Sequence, residues 1–452
     1  MAYQATKQRS PLAGRTLWIP RMTYAGARMF AATFRSKGID SRVVPPSDER
    51  TLELGGLHSS GEECYPQKVT LGDFLRLIYA DDFDPARTAF FMPLAEGPCR
   101  FGQYAPYLRQ VLDELGHGDV PVISPTSRNG YDGVGEHGQD LMRRAWRAIV
   151  IADILRKCML KTRPYETTAG DADEAYEAAM VIMEKILETP GLSIRQHLSA
   201  AVEGMERCRD LYRAVPAKYT RDRLLIGVVG EIFCRMNTFS NDDALRKIEA
   251  HGGEAWLSDT TEWVWYTNWS QKDLIIRDGK KLSLEMLMAI VKNKVQASDE
   301  HRLLAPFAED FVGYEEPHDI YEEVLRPAWP YLPADSALGE MVLTVGKSIY
   351  LQEKGADGIS DISPFSCMNG IVTEAVLPAM SREHENLPVR NFYFDASTSN
   401  MERDLDIFME LAGAYHRRKS AQRHYPRCFG DSQDANILSV SGFVGVSGEP
   451  NK

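Results

Sequence analysis

The sequence predicts an α/β protein: two parallel-sheet domains, a helical connector between them and a helical insertion inside the second. Three observations lead there. Short apolar or β-branched runs alternate with helical patterns over residues 15–124, and such alternation implies a parallel sheet because each crossover helix returns the chain to begin the next strand in the same direction. The alternation gives way at residue 139 to long helical patterns alone, and it resumes at Arg221. A length of 452 residues accommodates two or three domains of roughly 150 residues each.

In chain order, RTLWIP (15–20) reads as a strand, and YAGARMFAATFRSK (24–37) as a helix that stops at Gly38. A second strand is expected around Ser41–Pro45, and a helix in VTLGDFLRLIYA (69–80), after Cys64 and Pro66. RTAFFMPL (87–94) is an apolar strand, YAPYLRQVLDEL (104–115) a helix after Cys99, and VPVIS (120–124) a strand. LMRRAWRAIVIADILRKCML and SIRQHLSAAVEGMERCRDLY make residues 139–220 a helical connector following an N-terminal domain of 1–138. The second domain, 221–418, opens with RDRLLIGVVGEIF (221–233) as a strand, then a helix at 241–251 and a strand at EAWLS. A mostly helical insertion is expected at about 268–335, followed by helix 338–353, strand 357–363, helix 370–383, strand 389–395 and helix 401–418. Residues 419–452 read as a tail or docking arm.

Bulk composition excludes some functions. With 52 Lys and Arg against 64 Asp and Glu, the net charge of −12 argues against a general nucleic-acid binder, which carries a basic face. No apolar run reaches the roughly 18 residues of a membrane span, and no signal-peptide pattern precedes the first strand. Seven widely spaced cysteines, an odd number, read as thiols or metal ligands in a reducing cytoplasm, not as a disulfide framework.

Four of those cysteines recur in one kind of place. Cys64, Cys99, Cys234 and Cys367 each follow a strand or an approach turn with Gly, Pro or small polar residues nearby. Open α/β sheets bind ligands beyond the carboxyl ends of their strands. Converging thiolates are soft ligands that favour iron–sulfur clusters or zinc. Zinc sites commonly show close C-x₂-C pairs, and none occurs here. Against the cluster stands ordinary packing, since free cysteine is among the most buried residue types. For Cys234 a plain continuation of the strand is the competing reading. Cys158 and Cys208 lie inside helical patterns and read as core, and Cys428 lies in the tail.

The segments IPRMTYAGARMFAATFRSKGI, ERTLELGG, SSGEECYPQKVTLGDFL, PCRFGQY, GVVGEIFCRMNTFSND and GISDISPFSCMNGIVTEAVLP resemble the 2-hydroxyacyl-CoA dehydratase superfamily. They are closest to its branch related to the C-terminal region of acyl-CoA dehydratase activases. The resemblance implies flavodoxin-like domains and an oxygen-sensitive 4Fe–4S or related cluster held by cysteines from separate domains. It also implies an ATP-dependent activator as electron donor, a CoA thioester that becomes a ketyl radical, and a homodimer or heterodimer. Cys64, Cys99 and Cys367 match its cysteine motifs, with Cys234 as a possible fourth. Three thiolates would leave one iron open to substrate, whereas four would favour outer-sphere electron transfer by a non-catalytic subunit. A zinc-binding or cluster-free structural subunit is the third reading. The activase's ATPase domain has no counterpart here and no G-x-x-x-x-G-K-[ST] loop occurs, so ATP hydrolysis is expected of the partner. Met368-Asn369-Gly370 stands where dehydratase subunits carry a proline-containing turn.

Other features complete the candidate site. Glu231 is the candidate catalytic residue: a carboxylate close to Cys234 in sequence could move a substrate proton, although a helix cap is the competing role. Glu62 and Glu63 have a similar balance, and Ser59, Ser60 and Gly61 could donate to cluster sulfurs. Trp263, Trp265, Tyr266 and Trp269 read as core, or as an apolar wall or adenine platform. The basic run from His416 to Arg427 reads as a helix-terminal feature, or as a site for coenzyme A phosphates or an acidic partner. Gly133-x-Gly135-x-x-Gly138 formally matches a dinucleotide fingerprint but lacks the tight strand–turn–helix context.

Overall fold

The computed structural model describes residues 11–94, 97–124, 138–337, 339–396 and 401–430. Among them, eight strands form two four-stranded sheets in which every pairing is parallel. The first sheet contains β1 (Thr16–Ile19), β2 (Ser41–Val43), β3 (Thr88–Phe91) and β4 (Val122–Ile123), ordered β2-β1-β3-β4. The second contains β5 (Leu224–Gly230), β6 (Gly253–Leu257), β7 (Gly358–Pro364) and β8 (Val389–Phe394), ordered β6-β5-β7-β8. Both thus share one doubly wound order, and in each the strand order reverses beside the first strand, between β1 and β3 and between β5 and β7. A crevice opens at that reversal, beyond the carboxyl ends of the strands. β7 is buried along its whole length, because helices on both faces of a parallel sheet leave its central strands no contact with water.

The helices are α1 (Tyr24–Arg35), α2 (Glu49–Leu57), α3 (Tyr65–Ile78), α4 (Tyr104–Glu114), α5 (Gly138–Thr162), α6 (Asp171–Leu187), α7 (Ile194–Ala214), α8 (Ile232–Met236), α9 (Ala244–Ala250), α10 (Thr260–Arg277), α11 (Leu284–Leu304), α12 (Arg326–Ala328), α13 (Glu340–Glu353), α14 (Met368–Glu383) and α15 (Met401–His416). The first sheet packs through two clusters, one around Phe74, Phe90 and Leu108 and one around Leu17, Phe34 and Phe91. The largest cluster is continuous from Met29 of α1 through Ile151 and Leu155 of α5 and Met183 of α6 to Val228 of β5 and Ile362 of β7. α5, about 37 Å long at 1.5 Å per residue, is therefore the spine on which both sheets are mounted. Its Arg147 and Arg143 reach Asp299 of α11 at 2.8 Å each, fixing the register of the insertion against the connector.

Several boundaries differ from expectation. The strand expected over 221–233 ends at Gly230, because Gly230 has φ +111° and Glu231 caps a short helix. α2 was not anticipated. Its Asp48 cap accepts from Thr51 N at 3.1 Å, and Gly72 of α3 lies so close that a Cβ there would sit 2.0 Å from Thr51 O. The helical insertion starts at Thr260, which places the aromatic segment inside α10. Gly133 and Gly135 lie outside the described residues, as do the tail residues beyond Gly430.

Candidate functional site

Three of the four candidate cysteines occupy one structural position. Cys64 is the residue before α3, Cys367 the residue before α14, and Cys99 the residue before a 3₁₀ turn, Arg100–Gln103, that runs into α4. All three have extended backbone there. Each thiol therefore sits by the unpaired N–H groups and positive dipole end of a helix or turn, an environment suited to negative charge. Cys99 belongs to the connection after β3, and Cys367 follows β7 by three residues. Each thus flanks the reversal of its own sheet.

Cys234 is placed differently. It is the third residue of α8 and fully buried, held by its backbone: Glu231 caps α8, accepting from Phe233 N at 3.0 Å and from Cys234 N at 2.7 Å. Gly230 makes this turn possible, since a Cβ there would fall 2.1 Å from Ile362 O. Burial raises the Cys234 thiol, and Glu231, Cys367 and Asp361 push in the same direction.

Glu231 interacts electrostatically with all four thiols. Its charge is felt by Cys64, Cys99, Cys234 and Cys367, two thiols from each lobe. Burial, followed by Glu340, pushes its carboxyl above the ordinary carboxylate range. Glu340 opens α13 and accepts from Asn369 Nδ2 at 2.5 Å, and burial raises its carboxyl too. Arg235 donates to Gly230 O at 2.6 Å and supplies compensating positive charge to Glu340. Cys64 Sγ lies 2.8 Å from Tyr104 OH. Burial carries the Cys367 thiol to about 12. Cys99 is an exposed residue, yet burial of its thiol by the surrounding protein, followed in the same direction by Glu340 and Glu231, lifts it to about 11.

One guanidinium ties these loops together. Arg100 donates through Nη1 to Glu62 O at 2.8 Å and through Nη2 to Ser366 O at 2.6 Å. It thereby joins the turn before Cys64, the turn after Cys99 and the turn before Cys367, across the two lobes. Ser366 has φ +63°, a left-handed conformation that costs a non-glycine residue about 1–2 kcal/mol, and its carbonyl is the one Arg100 holds. Sequence reasoning missed Arg100, Glu340, Tyr104 and Arg235. Arg100 directly follows Cys99, but nothing local announces a contact 266 positions away.

Other expectations resolve as follows. Ser60 Oγ and Gly61 N donate to Glu63, at 3.0 Å each, and Ser59 Oγ donates to Gly55 O, so these groups serve their own turn instead of a thiol. Trp263 and Tyr266 stack at 5.3 Å, and Tyr266 OH accepts from Gly339 N at 2.8 Å; the aromatic segment steadies the entry to Glu340. The basic C-terminal run docks at the far end of the strands from the cysteines. Lys419 pairs with Asp357 at 2.7 Å and Arg423 with Glu254 at 2.5 Å. Cys158 and Cys208 are buried in the connector helices, and Lys161 donates to Cys428 Sγ at 3.8 Å.

A cavity of about 240 Å³ between the lobes is lined by Arg21, Ser47, Asn237, Phe239 and Asp243. Asn237 donates to Arg21 O at 2.9 Å there, three residues beyond Cys234. Among the described residues, no three His, Cys, Asp or Glu side chains are grouped to hold one metal ion. Each candidate thiol instead feels the charge of Glu231. As a donor set, soft sulfurs from several loops suit a polynuclear iron–sulfur group, in which different irons take different thiolates. Among the described residues no helix is long and apolar enough to cross a membrane. No protein-family model matches the sequence, and no curated protein matches it.

Proposed function

We propose that the chain is an iron–sulfur protein related to the 2-hydroxyacyl-CoA dehydratases, with Cys64, Cys99 and Cys367 as cluster ligands. It would receive low-potential electrons from an ATP-dependent activator for reductive chemistry on a CoA thioester, in the cytoplasm. The observation that carries this reading is that Cys64, Cys99 and Cys367 each head a helix or turn and that Arg100 hydrogen-bonds the turn before Cys64 to the turn before Cys367 across the lobes. Ordinary core packing gives no reason for three cysteines to share a helix-start position on turns that one arginine ties together. A bound cluster supplies one-electron transfer at a potential set by its ligands, its hydrogen bonds and its exposure.

The chain's own groups define the rest. Arg100 and the helix starts at α3 and α14 place positive potential where a thiolate-bound anion would lie. Glu231, raised by burial, retains a proton at higher pH than an exposed carboxyl would, which suits it to deliver or accept one beside the thiols. Cys234, enclosed beside Cys367, favours the second reading, a closed four-thiolate group that only passes electrons.

Anaerobic purification with iron and sulfide analysis tests both. About four irons per chain are expected for a cubane, lost in Cys64→Ala, Cys99→Ala and Cys367→Ala and retained in Cys158→Ala. Iron retained in Cys234→Ala supports the three-thiolate site, and iron lost there supports the closed one. Protein that takes up no iron after anaerobic reconstitution refutes both.

A further inference from the structure

The cavity of about 240 Å³ between the lobes contains a cation with no counter-charge of its own. Arg21 lines it from the loop between β1 and α1 and is half-buried. Among the described residues its guanidinium makes no hydrogen bond and no ion pair. It feels Tyr24, Asp73 and Arg28, and burial outweighs them, lowering its pKa. Asp73 is already engaged: its carboxylate accepts from Ser47 and from Thr51, each at 2.9 Å. Arg21 lies instead over the ring of Tyr24, 4.6 Å from its centroid. Such stacking covers a face of the planar guanidinium and leaves its N–H edge to a ligand. It repays only part of the cost of taking a cation from water.

The facing wall comes from the second lobe. Asn237 Nδ2 donates to Arg21 O at 2.9 Å and Asn237 Oδ1 accepts from Ser240 N at 2.9 Å, so this amide fastens the walls together. Thr238 lines the cavity too, and its hydroxyl has no hydrogen-bond partner among the described residues. Phe239 and Pro46 add apolar surface. Free donors beside an apolar wall suit an oxyanion with a short apolar tail. We propose that this cavity binds the carboxylate of a small organic acid, with Arg21 gripping its oxygens and Thr238 donating a further bond. Charge and size select that class. Asp243 also lines the cavity, where it shares Arg246 at 3.4 Å, and Asp73 stands behind Ser47. A monoanion neutralises Arg21, whereas the dianion of a phosphate ester would leave surplus negative charge beside two carboxylates. At ~30 Å³ per water, such a volume admits on the order of ten non-hydrogen atoms, far fewer than coenzyme A has. A thioester carbonyl is uncharged and gives Arg21 no ion pair, so the acid bound here is distinct from the thioester proposed above.

Ligand-observed NMR titration of the full-length, anaerobically purified protein tests the assignment. Hexanoate is expected to bind with a Kd of about 0.1–1 mM, and uncharged hexanamide and inorganic phosphate at least tenfold more weakly. Arg21→Gln is expected to lose hexanoate binding at least tenfold with unchanged circular dichroism. Arg42→Ala, which removes an exposed arginine of β2, is expected to bind as wild type does. Asp243→Asn is expected to strengthen phosphate binding several-fold. No binding by wild type at about 10 mM hexanoate overturns the proposal. Hexanamide binding as tightly as hexanoate overturns it equally, in a comparison that needs no variant. Hexanoate binding unchanged in Arg21→Gln overturns the role of Arg21, and phosphate binding tighter than hexanoate overturns the carboxylate in favour of a phosphate ester.

Discussion

Replacing Arg100 by alanine removes the only hydrogen-bonded bridge described between the turns before Cys64 and Cys367. Two short bonds are lost, to Glu62 O at 2.8 Å and to Ser366 O at 2.6 Å, with a long third contact to Ser366 Oγ at 3.5 Å. Bonds to a charged donor contribute about 1.5–3 kcal/mol each when buried. Both are solvent-exposed here, so together they stabilise by about 1–3 kcal/mol. Losing the Ser366 bond also frees that residue to leave its left-handed conformation, which recovers about 1–2 kcal/mol. The net change in global stability is therefore small, about 1 kcal/mol. The local change is large, because Ser366 directly precedes Cys367 and its relaxation moves the start of α14. Maleimide labelling of native, metal-free protein, read peptide by peptide, should show Cys367 modified several-fold faster in Arg100→Ala, with Cys208 unchanged as an internal reference. Arg100→Lys should fall between, since an ammonium cannot reproduce a two-pronged guanidinium contact. If Cys367 reacts at the wild-type rate in Arg100→Ala, the guanidinium does not position that turn.

Two further outcomes are expected. Gly230→Ala forces a left-handed φ on a residue whose Cβ would meet Ile362 O at 2.1 Å, so urea unfolding should show a loss on the order of 3 kcal/mol; a midpoint within error of wild type would contradict the close approach. His197 is fully buried and accepts from Arg147 Nη1 at 3.1 Å, and burial, then Arg144 and Arg147, lower its pKa to about 3. The unfolded chain takes up that proton near pH 6.5, so the histidine's effect is constant above pH 6.5 and stability is lost as pH falls from there toward 3. The stability difference between wild type and His197→Gln should accordingly change by about 2–3 kcal/mol between pH 6.5 and 4.5, and a constant difference would mean His197 is protonated in the fold.

Sheet architecture was legible because it rests on local pattern. The apolar runs at 15–20, 87–94 and 357–363 are strands or contain them, and their alternation with helices implies parallel pairing. The position of Cys64, Cys99 and Cys367 beside turns was legible for the same reason. The sequence concealed whatever depends on distant meetings. GVVGEIFC is apolar enough to continue as a strand, and only the left-handed turn at Gly230, fitted against β7, ends it. α2 carries two glycines and few apolar residues, so its periodicity is faint. Its stability comes from the Asp48 cap and close packing on α3. Glu340 and Arg100 look like ordinary surface charges in their own segments.

The charge arrangement accounts for why the site lies between two sheets and not within one. Glu231, Glu340 and Asp361 are carboxyl groups whose burial raises their pKa, and burial raises the four candidate thiols as well. So many acids sharing one region resist ionising together, because each charge disfavours the next. A single sheet reversal offers one crevice and few helix starts to offset that repulsion. Two sheets meeting at their carboxyl ends bring the starts of α3, α4, α8 and α14 to the same region, with Arg100 from one lobe and Arg235 from the other. Arg100 offsets part of that repulsion at Cys64, and Arg235 does so at Glu231, Glu340 and Asp361. Each lobe supplies two of the four thiols and one of the two arginines, so only the pair of lobes brings all of them together.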